Sequence, residues 1–371
     1  MSKTQNEPAR VASVPVSKVA QKTEGAASLS AAAKPLPWWR SGGMHVNMAG
    51  MGINTFLPVL YLGSCLPEEE RKAFATFILA GYAAAAAVGC RTVYCILVVP
   101  TYMASLLLSL RTEGVDVEGG GDDEYRRHYY PAFLVATSVA LAIVKVNICM
   151  SVCLHRYAAH AAFKCGPITH VAMSVLGCLA NQGGPIWWAS QHRCHHKYCD
   201  APRDPHSPPL MGTEKAFAFF EIHQAVEEEF APRHLESGWL RILDTWSWCA
   251  YFAEMVLAHA VLGRDGLFVA YSSGWISQSI TLWFNVANHP PNADTGKVCK
   301  ATDGKLPLHS YYLPFHILDM LYPLFGVFVA EGEHQHHHDH PGLAKRKPGD
   351  MAYWAFLAPL EMLGLVWDVN K

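Results

Sequence analysis

The sequence is short of paired cysteines, of surplus charge and, over long stretches, of charge altogether. Its eleven cysteines form no Cys-x-x-Cys pair, so neither a zinc ribbon nor a secreted disulfide framework is indicated, and the thiols read as reduced. The 29 Lys and Arg against 31 Asp and Glu leave a formal net charge of −2. That lacks the basic footprint which nucleic acid demands, and nucleic-acid binding is set aside. Charge is nearly absent from several runs of about twenty residues, while the loops between them carry Asp, Glu, Arg and Lys. This distribution reads as a polytopic membrane protein. No internal repeat is visible.

Residues 1–37 are rich in Ala, Ser, Lys and Pro with no apolar run. They read as a disordered tail rather than a secretory signal, although a plastid transit peptide has a similar composition. Apolar stretches follow near 44–62, 73–89, 92–110, 131–154, 246–262 and 267–288. Each is long enough to cross, or nearly cross, a hydrocarbon core of roughly 30 Å. The last two are joined only by Gly263, Arg264, Asp265 and Gly266, the turn of a hairpin. Two further stretches, 168–188 and 311–330, are interrupted by Gly183, Gly184 and Pro185 and by Pro314 and Pro323. These read as interfacial rather than spanning. Parity then places the histidine clusters on one face, the cytosolic one, together with the basic tail.

What the chain has in excess is histidine, twenty in all. The pattern His-x-x-His-His occurs twice, at His192, His195 and His196 and at His334, His337 and His338. Positions i, i+3 and i+4 share a helical face, so each cluster can aim three imidazoles at one small volume. His155 and His160 follow the fourth apolar stretch. Five residues apart, they do not share an α-helical face, so either the helix ends there or the two rings serve different metals. Asn285 and His289 stand four apart at the end of the last hairpin, on one face. Nine imidazoles exceed the needs of one ion, and sites that activate oxygen need open positions, so two metals are expected. Lys145, inside the fourth stretch, must find a partner or a cavity or snorkel out.

These residues resemble the histidine boxes of the membrane fatty acid desaturases, in the Δ9, stearoyl-CoA desaturase-like branch. The likeness runs over roughly 130–341 and includes Asp204-Pro205-His206 after the second box and Glu331-Gly332 before the third. It implies an all-α integral membrane domain over 38–371. Transmembrane helical hairpins would carry a cytosolic helical cap, and the cap would hold a histidine-rich di-metal site. The resemblance further implies that nine histidines (155, 160, 192, 195, 196, 289, 334, 337 and 338) ligate two Fe2+ ions and that Asn285 holds an iron-bound water. Carboxylates such as Asp200, Asp204, Glu331 and Asp339 would orient imidazoles through their free N–H groups. His336 and His340 are additions to the pattern, and the stretch between His289 and His334 is longer than usual.

The implied activity is O2-dependent removal of hydrogen from two adjacent methylenes of a saturated acyl chain, at Δ9 and on acyl-CoA. Such a carbon offers no acid, base or leaving group, so metals must carry the chemistry while the protein supplies a dry tunnel. Electrons would come from a separate cytochrome b5 or ferredoxin-type donor, and the location would be the endoplasmic reticulum membrane or a plastid membrane. The basic pair that suits CoA phosphates in animal relatives is replaced by Pro208 and Pro209, which leaves an acyl-lipid substrate as an alternative. A membrane lipid hydroxylase or oxidase is the second reading, and a histidine-rich metal transporter a distant third, since transporter ligands belong within spans near the midplane.

Overall fold

In the computed structural model, residues 38–88, 130–218, 229–303, 320, 328–329 and 331–371 are described. The tail at 1–37, the apolar stretch at 92–110 and nearly all of 311–330 lie outside them. The chain separates into two units, Met1–Gly42 and Gly43–Lys371, and every side chain discussed below belongs to the second. Its described residues are mostly helical. In chain order come α1 (Trp38–Ser64), α2 (Glu68–Val88), α3 (Tyr130–Lys145), a π-helix (Val146–Ala159), α4 (Pro167–Cys178), α5 (Pro185–Tyr198), α6 (Gly238–Thr245), α7 (Trp248–Asn288) and α8 (His334–Asp339). A two-stranded antiparallel ribbon pairs β1 (Lys164–Cys165) with β2 (Val366–Trp367), fastening the C-terminus beside the first histidine pair.

Among the described residues one helix is long and apolar enough to cross a membrane. It is the continuous α3 and π-helix, Tyr130–Ala159, 30 residues long. Lys145 within it finds a partner: its Nζ lies 2.8 Å from Glu254 Oε2 on α7 and over the Tyr251 ring at 4.9 Å. The hairpin turn falls at Gly263, whose φ of 63° an L side chain rarely adopts. Beyond it α7 doubles back, so that Tyr251 Oη donates to the Tyr271 carbonyl at 2.6 Å. Gly274 is required by this approach, because a Cβ there would sit 2.3 Å from the Tyr251 phenol.

The interruption at Gly183, Gly184 and Pro185 separates α4 from α5, and it does more than break a helix. Gly184 precedes α5 and offers no side-chain cap. The Asp244 carboxylate, from the end of α6, accepts from Ile186 N at 2.7 Å and Trp187 N at 3.0 Å instead. This supplies the acceptors that a helix N-terminus needs. A Cβ on residue 184 would collide with Asp244 Oδ1 at 2.2 Å. Glycine therefore lets a carboxylate cap, and so aim, the helix that carries His192, His195 and His196.

A core of Val152, Leu154, Phe163, Met173, Ile186, Trp283, Phe284, Tyr353 and Leu357 joins the π-helix, α4, α5, the end of α7 and the C-terminal segment. A second cluster, including Leu62, Leu134, Met255, Phe268 and Tyr271, joins α1, α3 and both arms of α7.

Candidate metal centre

The first histidine pair shows how local backbone geometry makes the site. The segment after α3 is a π-helix, and His160 N donates to the His155 carbonyl at 3.1 Å. An i→i+5 bond sets residues five apart one turn above each other. The helix ends between the two rings, at Ala159 with His160 as its cap, and the rings are not sent to separate ions: His155 and His160 lie 5.0 Å apart, centroid to centroid, in one group.

Nine rings from four chain segments converge, and they sort into two sets. His155, His160, His192, His196 and His337 form the first, a group with the reach to hold one metal ion. Consecutive Nε2 atoms are 2.9 Å (His155 to His337), 2.9 Å (His337 to His196), 3.0 Å (His196 to His192) and 3.0 Å (His192 to His160) apart. Ligands at right angles on an ion about 2.1 Å from each nitrogen would be about 3.0 Å apart. His195, His338, His334 and His289 form the second, with successive Nε2 separations of 3.3, 3.2 and 2.8 Å.

Each His-x-x-His-His box serves both sets. In α5 the i, i+4 pair His192 and His196 joins the five and His195 joins the four. In α8 the i, i+4 pair His334 and His338 joins the four and His337 joins the five. Three rings of one box thus do not share one volume, as the shared helical face suggests. The i+3 ring is turned by about 60° from the i position, enough to face the neighbouring set.

The residues behind the rings fix which nitrogen faces inward. His195 Nδ1 donates to Asp204 Oδ2 at 2.9 Å, His289 Nδ1 to Asp200 Oδ2 at 2.9 Å, and His155 Nδ1 lies 3.1 Å from Glu331 Oε2. An imidazole that donates through Nδ1 carries a lone pair on Nε2. His289 Nε2 nonetheless sits 2.8 Å from His334 Nε2 in a buried volume. A cation between such nitrogens is the chemistry this donor set fits. Burial first, and neighbouring rings and Arg346 second, hold His192, His196, His334, His337 and His338 well below the usual histidine range, and His160 down to about 3. Neutral imidazole is the form that binds metal. Burial also disfavours charge on His195, but Asp204 overrides it and raises its pKa.

The other expected residues divide. Among the described residues Asp339 meets no ring; it is exposed, with Lys297 at 3.4 Å. His336 and His340 meet each other at 4.7 Å, centroid to centroid with their planes tilted by 32°, apart from the cage. Asn285 lies half-buried one turn before His289, and among the described residues no hydrogen bond joins its amide to the rings.

Several further supports surround the rings, and of these Arg346, Asp350, Trp188 and Gln182 carry no sequence signal. Arg346 pairs with Glu331, which also accepts from Ser151 Oγ at 2.5 Å, and its guanidinium lies 3.3 Å from His155 Nδ1. Burial opposes charge on Glu331, yet Arg346 and Arg156 keep its pKa low. Arg156 makes a fully buried bidentate pair with Asp350, at 2.7 and 3.1 Å. His206 stacks on His195 at 4.2 Å. Trp188 stacks on His192 at 4.9 Å and donates its indole N–H to Gln182 Oε1 at 3.0 Å, while the Gln182 amide donates to Thr281 at 2.9 Å. The expectation of reduced thiols fails at one pair: Cys199 and Cys299 are joined, with Cα atoms 5.0 Å apart. Sequence spacing could not reveal this, because the partners are 100 residues apart.

No protein-family model matches the chain. Curated relatives that it matches include fatty acid desaturases and an acetylenase. The chain is 43% identical over 81 residues to the hex-5-enoyl-[acyl-carrier protein] acetylenase of Moorena producens (strain JHB), 22% of this chain and 25% of that protein. It is 40% identical over 74 residues to the chloroplastic palmitoyl-monogalactosyldiacylglycerol delta-7 desaturase of Arabidopsis thaliana, 20% of each chain. It is 46% identical over 54 residues to the acyl-CoA C20 Delta5-desaturase of Anemone leveillei, 15% of this chain and 17% of that one. The matched stretches thus span a quarter or less of each of these relatives.

Proposed function

We propose that this chain is an O2-dependent fatty acyl desaturase with a histidine-bound pair of irons. The single observation that carries the reading is the division of nine imidazoles, six buried and three half-buried, into abutting sets of five and four, to both of which each His-x-x-His-His box contributes. Relatives named as desaturases support the same conclusion. When bound, the metal pair supplies the oxidising chemistry that an unactivated methylene requires.

The chain's own residues do the rest. The nine imidazoles bind, Asp204, Asp200 and Glu331 orient them, and Trp188 forms an aromatic wall against His192 and His155 that keeps water from the five-ring set. Asn285, one turn before His289 on α7, would hold a water at the metal pair. The chain sits in a membrane with several crossings. This is supported by Tyr130–Ala159 and by the exposed apolar side chains Leu60 on α1, Phe133 on α3 and Leu257, Val261 and Leu262 on α7. Electrons come from a separate cytochrome b5 or ferredoxin-type donor.

The acyl carrier is the point at which the relatives diverge, since their names specify acyl-carrier protein, galactolipid and CoA. Arg193 is exposed within the second box, and on this ground acyl-CoA remains the first assignment of carrier; Δ9 placement, in the endoplasmic reticulum or a plastid membrane, rests on the resemblance of the boxes. The test is purified protein with Fe2+ and a reducing system, offered stearoyl-CoA, stearoyl phospholipid and stearoyl-acyl-carrier protein separately. Metal content near two irons per chain and a monounsaturated C18 product from the CoA ester are expected. Product from another carrier alone would overturn the carrier, and zinc in place of iron with no product from any would overturn the function.

A further inference from the structure

The joined cysteines lie directly behind the four-ring set. Cys199 ends α5, three residues after His196, and Cys299 lies in the segment that leaves His289. Cys199 Sγ is 3.9 Å from His289 Nδ1, and Cys299 Sγ is 3.9 Å from His338 Nδ1. The disulfide therefore backs two imidazoles of one set, on the side away from their converging Nε2 atoms. A non-covalent contact repeats the link one residue on: Lys300 N donates to Asp200 Oδ2 at 2.6 Å, the carboxylate oxygen that also orients His289. Asp200 adopts φ of +55°, which Asp tolerates, and this turn directs its carboxylate to both partners. Two adjacent ties thus hold 290–303 against the back of the set, beside the contacts of Lys297 with Asp339 and of Asp303 with the His336 amide, and the covalent one is exposed to chemistry at one end. Cys199 is 8% exposed, whereas Cys299 is only half-buried and follows Val298, which is 68% exposed.

We propose that Cys199–Cys299 is a thiol–disulfide exchange site for a dithiol protein reductant, and that its cleavage loosens 290–303 and the hold of the four-ring set on its metal. The exchange balances as a two-electron step. A reductant thiolate attacks Cys299 Sγ, the S–S bond breaks, and Cys199 leaves as thiolate and takes a proton. The second thiol of the reductant then resolves the mixed disulfide, so the chain gains two electrons and two protons and the reductant departs as its own disulfide. With the covalent tie gone, Asp200 and the Lys300 amide are held together by one hydrogen bond at a loop margin, and the orientation of His289 is no longer enforced from behind. The metal half of the proposal rests on the function proposed above; the loop half does not.

The experiment uses the full chain in detergent micelles, as purified and after treatment with thioredoxin, its reductase and NADPH. Alkylation read by peptide mass spectrometry should find Cys199 and Cys299 protected before treatment and labelled after it. Amide hydrogen exchange within 290–303 should quicken by about ten-fold or more on reduction, and loss of one metal per chain to a chelator by roughly ten- to a hundred-fold. The C199S/C299S variant should behave as the reduced form with or without reductant. Free thiols at both positions before reduction, or exchange in 290–303 that neither reduction nor the double variant alters, would overturn the proposal. A chain that arrives without metal would count against the proposed function, and hydrogen exchange would still decide the loop.

Discussion

Asp204→Asn is the sharpest probe of the site, because it replaces one carboxylate oxygen behind the ring with an NH2 group and leaves the shape alone. The Asp204 side chain is fully buried, and its two oxygens accept from His195 Nδ1 at 2.9 and 3.0 Å, Asp200 N at 2.8 Å and His206 N at 3.1 Å. An amide keeps one acceptor and must turn its NH2 toward at least one of those donors. A buried donor left facing another costs about 1–3 kcal/mol. A metal-binding histidine deprived of its carboxylate typically costs 10- to 100-fold in affinity, about 1.4–2.7 kcal/mol, and the two estimates agree. His195 belongs to the four-ring set, so the loss should fall on one metal of the two. Chelator competition at equilibrium, with metal counted by mass spectrometry, should show one ion released 10- to 100-fold more readily and the other unchanged. Asp339→Asn, a change at an exposed carboxylate paired only with Lys297, should release neither. Unchanged affinity in Asp204→Asn, or equal weakening of both ions, would refute the division into two sets.

Alanine at His155, His192, His195, His334 or His337 should reduce desaturation below detection while the chain still inserts into membranes; rescue of an unsaturated-fatty-acid auxotroph by any one of them would remove that residue from the ligand set. Asp350→Ala should destabilise the protein by about 3–5 kcal/mol, because it strands the buried Arg156 guanidinium. Arg156→Met added to it should recover part of that loss, and thermal unfolding in detergent would expose an additive result as the failure. Cysteines introduced at Thr295 and Lys345 should be labelled from the same membrane face, since His289 meets His334 at 2.8 Å on either side of the intervening segment. Opposite accessibility would mean that 311–330 crosses the bilayer and that the two sets of rings cannot form.

The sequence by itself determined which residues gather. Two His-x-x-His-His boxes, a pair five apart after an apolar helix and a histidine closing the last hairpin are local patterns, and periodicity alone marks them. It also marked the break before α5, because Gly183, Gly184 and Pro185 have backbone preferences that need no partner to be read. Three of the four proposed orienting carboxylates were legible as well, since Asp200, Asp204 and Glu331 stand next to the boxes in the chain. Tertiary structure alone decided the rest. The π-helix that unites His155 with His160 depends on the packing of Val146–Ala159 and not on its residue pattern, which an α-helix would satisfy equally well. The division of each box between two sets depends on α5 and α8 facing each other, and α5 is aimed by Asp244, 46 positions beyond its C-terminal Tyr198. Arg346 behind His155, Asp350 beneath Arg156 and Cys299 against Cys199 each join residues 100 or more positions apart. A charge or a thiol has no periodicity, so nothing in one dimension says where its counterpart lies.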